Sequence, residues 1–206
     1  MPSWPASNRH RDGRSRTRAA VLALALVAIG GASCSSHQVV LTQQAPATLL
    51  SEPPGHEIGE VTRVVDGDTI EVRITGRVDG PGAGDARIGG SYDVRLIGID
   101  TPESVKPNSP VECFGREASA AAKTLLEGSE VRLVKDVDET DRYDRLLRYV
   151  YLGHELANAR LVINGYAAAY TYPPNVRHSE LFVELQREAG RERRGLWSPQ
   201  TCGGDA

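Results

Sequence analysis

Between residues 61 and 74 the chain carries a pattern that leaves little freedom of fold. β-Branched residues dominate 61–65 and 69–74, and in the second run Ile70, Val72 and Ile74 alternate with Glu71 and Arg73. A period of two sends successive side chains to opposite faces, which a strand satisfies and a helix does not. Asp66-Gly67 separates the runs, a pairing suited to a tight hairpin turn, so the segment reads as an antiparallel hairpin. Residues 76–90 are rich in glycine and poor in apolar groups, and read as a long hairpin loop. A third strand follows, with Tyr92, Val94 and Leu96 on one face and Asp93 and Arg95 on the other, until the pattern breaks at Gly98.

The period then changes. Across 117–127, Ala118, Ala121, Ala122 and Leu125 recur at helical spacing, with Gly128 as the stop. Strands at 131–135 and 147–152 flank the charged turn 136–145. Residues 155–164 read as a helix ended by Gly165, and Leu181, Phe182, Leu185 and Ala189 line one face of a last helix over 179–194. Tyr149 and Tyr151 alternate within a strand and are expected in the core or on a sheet face. Five short strands interrupted and followed by helices predict an α+β fold, a small barrel with packed helices. The domain is expected to span residues 58–202 and, at this size, to fold alone as a monomer.

The N-terminus carries an address. Arg9, Arg11, Arg14, Arg16 and Arg18 precede an apolar run over 19–29 that is too short to span a bilayer comfortably, which is the grammar of an export signal over residues 1–33. Gly30, Gly31, Ala32 and Ser33 before Cys34 resemble a bacterial lipobox, although Gly31 stands where such motifs usually carry leucine. The resemblance implies lipidation of Cys34, a polar tether over 34–57 and a membrane-anchored domain facing outside the cytoplasm. The alternative is cleavage near Ala32 and a secreted product. Cys113 and Cys202 are then left either as a disulfide in an oxidising compartment or as two free thiols. His154 and His178 are isolated and no C-x-x-C occurs, so nothing has zinc-site spacing.

Composition sets a further limit. With 40% hydrophobic and 25% charged residues the chain is neither disordered nor a multi-span membrane protein. Its net charge is −3, and leaving out the five leader arginines and Asp12 gives −7 for residues 34–206. A protein of that charge does not hold polyanions by bulk electrostatics, so any phosphate must be handled locally.

A constellation able to do so is present. Asp66-Gly67-Asp68-Thr69 puts two carboxylates at one turn, which alone is only a common hairpin device. Arg95 on a half-buried strand face, followed by Asp100, Pro102 and Glu103, adds charged groups that a barrel can bring together around one hard cation. The segments V-V-D-G-D-T-I (64–70), R-L-I-G-I-D-T-P-E (95–103), F-G-R-E-A-S (114–119) and D-R-Y-D-R-L-L (141–147) resemble the staphylococcal-nuclease-type thermonucleases in order and spacing, and the resemblance runs from about Val61 to Trp197. It implies an OB-type five-stranded barrel with three helices. It also implies a Ca²⁺-dependent phosphodiesterase that cleaves single-stranded DNA or RNA at the 5′ P–O bond with low sequence specificity.

Carried over by position, the resemblance makes Asp68, Asp100 and the Thr101 carbonyl Ca²⁺ ligands, Glu103 the general base, and Arg95 and Arg145 the phosphate clamps. Arg142, Tyr143, Tyr170 and Tyr172 then hold a neighbouring phosphate and flank a base. Two departures stand out. Asp144 occupies a family glycine position beside Arg145, and Asn108 and Ser109 replace loop lysines, so substrate capture is expected to be weaker. The alternative on the same fold is a non-catalytic single-stranded nucleic-acid-binding module, against which the retained acidic and arginine residues argue.

Overall fold

The computed structural model describes residues 52–105 and 110–202. The leader, Cys34, most of the tether, Asn108 and Ser109 lie outside the described residues. A long hairpin, β1 (His56–Asp66) and β2 (Thr69–Val78), is followed by β3 (Ser91–Leu96) and the two-residue β4 (Ile99–Asp100). Helix α1 (Gly115–Leu126), strands β5 (Glu130–Val134), β6 (Leu146–Leu152) and β7 (Glu155–Leu156), helix α2 (Ala157–Ile163), β8 (Ala168–Ala169) and helix α3 (Ser179–Arg191) complete the order.

The main sheet runs β3-β2-β1-β5-β6-β7, and a parallel pairing of β3 with β6 closes its first five strands into a barrel. Register shifts in β1 at Ile58/Gly59, Val61/Arg63 and Val64/Asp66 increase its bend, so one strand serves both β2 and β5. The alternating residues Ile70, Val72, Ile74, Val94 and Leu96 are fully buried inside, together with Leu133 and Val150. Each contributes about 1.5–3 kcal/mol by leaving water. Tyr149 and Tyr151 are buried too, as their alternation predicts. The helices cover the barrel: α1 buries Ala118, Ala121, Ala122 and Leu125, and α3 buries Phe182, Leu185 and Ala189.

Two elements differ from expectation. The hairpin strands are longer than the sequence implied, and β2 takes in the first residues of the glycine-rich stretch. The helix expected from residue 155 begins at Ala157, because Glu155 and Leu156 pair with Leu152 and Tyr151 as a short strand.

Several charged and polar side chains inside the fold are paired. Asn158, fully buried on α2, accepts from Val150 N at 3.0 Å and donates to Ile97 O at 2.9 Å, joining β6 to the segment after β3 near the barrel's closure. Arg148 and Glu57 are both fully buried and paired through two bonds, Nε to Oε2 at 2.7 Å and Nη2 to Oε1 at 3.1 Å. Arg148 also binds the Glu139 carboxylate and donates Nη1 to the Glu139 and Leu147 carbonyls, each at 3.0 Å, which fixes the start of the turn before β6. Near the start of α3, buried His178 meets Glu52 at 2.7 Å, and Tyr151 donates to the same carboxylate. Burial alone would push Glu52 up, but the His178 and Tyr151 hydrogen bonds, with the charges of His178 and Arg177, hold it below its usual 4.5. Cys113 and Cys202 are joined by a disulfide across 89 residues, worth about 4–5 kcal/mol in the chain-entropy model.

Candidate active site

The barrel's closure explains why distant charges meet. Arg95 on β3 stands opposite Thr69 on β2 and Leu147 on β6, so the β1–β2 turn and the residues entering β6 converge on it. Its guanidinium is mostly buried and forks onto two carboxylates, Nη1 to Asp68 Oδ2 at 2.6 Å and Nη2 to Asp100 Oδ1 at 2.8 Å. Asp68 Oδ2 also accepts from Thr101 N at 3.0 Å and Thr101 Oγ1 at 3.1 Å, while its Oδ1 accepts from Thr69 Oγ1 at 3.1 Å. Thr69 Oγ1 in turn accepts from Arg145 Nη1 at 3.2 Å, linking the second arginine to the first carboxylate through one hydroxyl.

A second set of bonds holds the segment that follows β4 against the same turn. Asp66 Oδ1 accepts from Ser104 Oγ at 2.6 Å and from Gly67 N at 2.8 Å. Gly67 faces Thr101 so closely that a Cβ there would lie 2.7 Å from Thr101 Oγ1, which reserves the position for glycine. Glu103, half-buried, follows Pro102 and is clasped through its backbone: its N–H donates to Glu112 Oε2 at 3.0 Å and its carbonyl accepts from Glu112 N at 2.9 Å.

Arg145 is steadied by Asp141 rather than by its sequence neighbour. Asp141 Oδ2 accepts from Arg145 Nε at 2.8 Å and Nη2 at 2.7 Å, while Oδ1 caps the turn through Tyr143 N and Arg145 N. Burial raises the Asp141 carboxyl, and the hydrogen bonds from Arg145 and Tyr143 outweigh it and hold the group below its ordinary range. Asp144 adopts φ +62°, the left-handed geometry a glycine would take there. Asp144 makes no ion pair among the described residues, so the neutralisation of Arg145 expected from Asp144 comes from Asp141. Asp100, more than half exposed, behaves oppositely: desolvation raises it, helped by the charges of Asp68 and Glu112 and opposed by Arg95.

The aromatic groups lie on two loops. Tyr170 follows β8, whose pairing with β4 matches Asp100 to Ala168, and Tyr170 N donates to Gly98 O at 2.9 Å, so the loop leaves beside Asp100. Tyr170 and Tyr172 are exposed and lie nearly parallel, with centroids 6.4 Å apart. Tyr143, also exposed, carries Arg142 at 4.7 Å and Arg145 at 5.5 Å over its ring, and its hydroxyl accepts from Arg142 Nη2 at 2.6 Å.

Known proteins are similar to this chain in sequence. Residues 93–199 match the model of the staphylococcal nuclease homologue family. The thermonuclease of Staphylococcus hyicus is 41% identical over 139 residues, 68% of this chain and 75% of that protein. The thermonuclease of Staphylococcus intermedius is 42% identical over 137 residues, 66% and 74% of the two chains. The SPbeta prophage-derived endonuclease YokF of Bacillus subtilis is 38% identical over 146 residues, 69% of this chain and 45% of that one.

The chain is a staphylococcal nuclease homologue.

Within this homologue, the residues singled out from sequence divide into three groups. Asp68, Arg95, Asp100, Thr101 and, through Thr69, Arg145 form one bonded cluster, with Glu103 on the segment after β4 that Thr101 and Ser104 hold in place. Arg142 and Tyr143 form a pair on the turn that carries Arg145, and Tyr170 and Tyr172 form a third group beside Asp100. Sequence reasoning missed Thr69 as a bridge, Asp141 as the partner of Arg145 and Glu112 as the clasp on Glu103. Only Asp141 left a signal, an Asp two residues before the turn's centre, where such side chains cap the backbone. An all-oxygen donor set fits a hard cation: Asp68 and Asp100 share one guanidinium, and Asp100 keeps its second oxygen unengaged among the described residues.

Proposed function

We propose that this protein is a Ca²⁺-dependent phosphodiesterase that hydrolyses single-stranded DNA or RNA at the 5′ P–O bond with low sequence specificity. The observation that carries the reading is the Arg95 fork shared by Asp68 and Asp100, linked through Thr69 to Arg145 and through Thr101 to the segment that carries Glu103. The names of its thermonuclease and endonuclease relatives support the same activity.

Asp68, Asp100 and the Thr101 carbonyl would hold the cation. Bound there, Ca²⁺ supplies charge that polarises the phosphoryl group. Arg95 and Arg145 grip the non-bridging oxygens, where planar forks match phosphate and oppose the charge that develops during attack. Glu103 takes the proton from the attacking water at a carboxylate oxygen and orients it. Tyr170 and Tyr172 offer faces on which any base stacks, in keeping with low specificity. Exported by its leader, the enzyme acts outside the cytoplasm, tethered through lipidated Cys34.

The test is cleavage of heat-denatured DNA and of RNA by the purified chain with Ca²⁺, with a chelator, and by the Glu103→Gln variant. Cleavage that requires Ca²⁺ and drops by about 10²–10⁴ in the variant supports the reading. Tight binding without cleavage by the folded wild type would make it a nucleic-acid-binding module instead.

A further inference from the structure

Glu103 is held between two anchors. On one side Ser104 is bound to Asp66 at the β1–β2 turn. On the other, the reciprocal clasp with Glu112 leads at once into Cys113, which is bonded to Cys202. We propose that the Cys113–Cys202 disulfide, acting through Glu112, is a positioning device that keeps the Glu103 backbone in register with the Asp68–Arg95–Asp100 cluster. The inference rests on the reading of Glu103 as the general base.

Three features support it. Pro110, Val111, Glu112 and Cys113 are all exposed, so burial does little to hold this strap. Each clasp hydrogen bond competes with water and contributes only about 0.5–1.5 kcal/mol net, too little to keep a catalytic group within a fraction of an ångström unaided. The strap is also mechanically coupled to the base. A Cβ on Gly115 would lie 2.6 Å from Glu103 O, so backbone meets backbone there and a displacement of residues 113–115 is passed to Glu103.

At its far end the disulfide reaches a fixed point. Thr201 N donates to Ser198 O at 3.0 Å, Ser198 N to Gly195 O at 3.1 Å and Leu196 N to Gly165 O at 2.9 Å, and Leu196 is buried. The covalent bond thus ties an exposed strap to a segment that is hydrogen-bonded to Gly165, just after α2. Cys113 and Glu112 are positioning residues, since neither is proposed to touch the substrate.

The experiment compares the full chain with the Cys113→Ser/Cys202→Ser, Glu112→Ala and Glu112→Gln variants, on denatured DNA with Ca²⁺ below every variant's melting temperature. The expected result is a kcat lower by about 10- to 100-fold in the disulfide-free and Glu112→Ala proteins with KM unchanged. Glu112→Gln, whose amide oxygen still accepts from Glu103 N–H, keeps most of the kcat. Combining Glu112→Ala with the cysteine changes costs no more than the worse of the two, because both act on one group. Amide exchange at Glu103 is read in parallel and needs no activity; it accelerates in the disulfide-free chain while Val72 and Leu133 remain protected. A disulfide-free protein that melts lower yet keeps its kcat and its Glu103 exchange rate overturns the proposal, leaving the bond a staple only. A wild-type chain that does not cleave refutes the nuclease reading instead, and the exchange measurement still decides the positioning role.

Discussion

Replacing Arg148 by methionine would remove the cation from a carboxylate that water does not reach. Glu57 is fully buried, and without Arg148 the one partner left to its carboxylate among the described residues is Ala86 N, donating at 3.3 Å. Breaking a buried ion pair from one side costs about 3–5 kcal/mol, because the surviving charge is left uncompensated. For a domain of this size each kcal/mol lowers Tm by about 2–4 °C, so the melt should fall by about 6–20 °C. Thermal melts of wild type, Arg148→Met and Glu57→Gln/Arg148→Met check this. The double variant should recover most of the loss, because it no longer buries an unpaired charge. A deficit under about 2 °C, or a double variant no more stable than the single one, would refute the reasoning.

The remaining predictions concern the site and the tether's end. Asp144→Gly places the residue suited to φ +62° and removes a negative charge beside Arg145; stability should change by less than about 1 kcal/mol while KM for denatured DNA falls, and a higher KM would count against the role of that charge. Arg95→Lys should lower kcat by about 10²–10³, because an ammonium cannot span Asp68 and Asp100 as the fork does; steady-state kinetics showing near-normal kcat would sink that role. Glu52, held below its usual 4.5, contributes stability present above that pH and lost as the pH falls through its folded value. The Tm gap between wild type and Glu52→Gln should therefore close in acid melts below that range, and a gap that persists there would point to packing.

Strand and helix periodicities were legible because each is enforced within a few residues. Ile70, Val72 and Ile74 are buried in register, as their alternation requires, and the α1 and α3 faces are those the spacing marked. Boundaries were less legible where pairing across the sheet overrides local preference. Glu155 and Leu156 suit a helix yet serve as a strand because β6 offers them partners. Asp68, Arg95, Asp100 and Glu103 could be named from their motifs, whereas Thr69, Asp141 and Glu112 could not be assigned their roles. A threonine or glutamate carries no mark of which distant atom it will meet.

What belongs to the sequence alone is the alphabet of the site and the order of its elements: two acidic turns, two arginines, the aromatic loop and the strand runs that space them. The tertiary structure decided the pairings. Only the parallel closure of β3 on β6 brings Arg145 within reach of Thr69, and only the long-range contacts bind Glu103 to Glu112, Ser104 to Asp66 and Cys113 to Cys202. The physical reason is range. Backbone periodicity and turn preference act over a few residues and are written locally, while a hydrogen bond between groups tens of residues apart exists only once the barrel has paid the entropy of bringing them together.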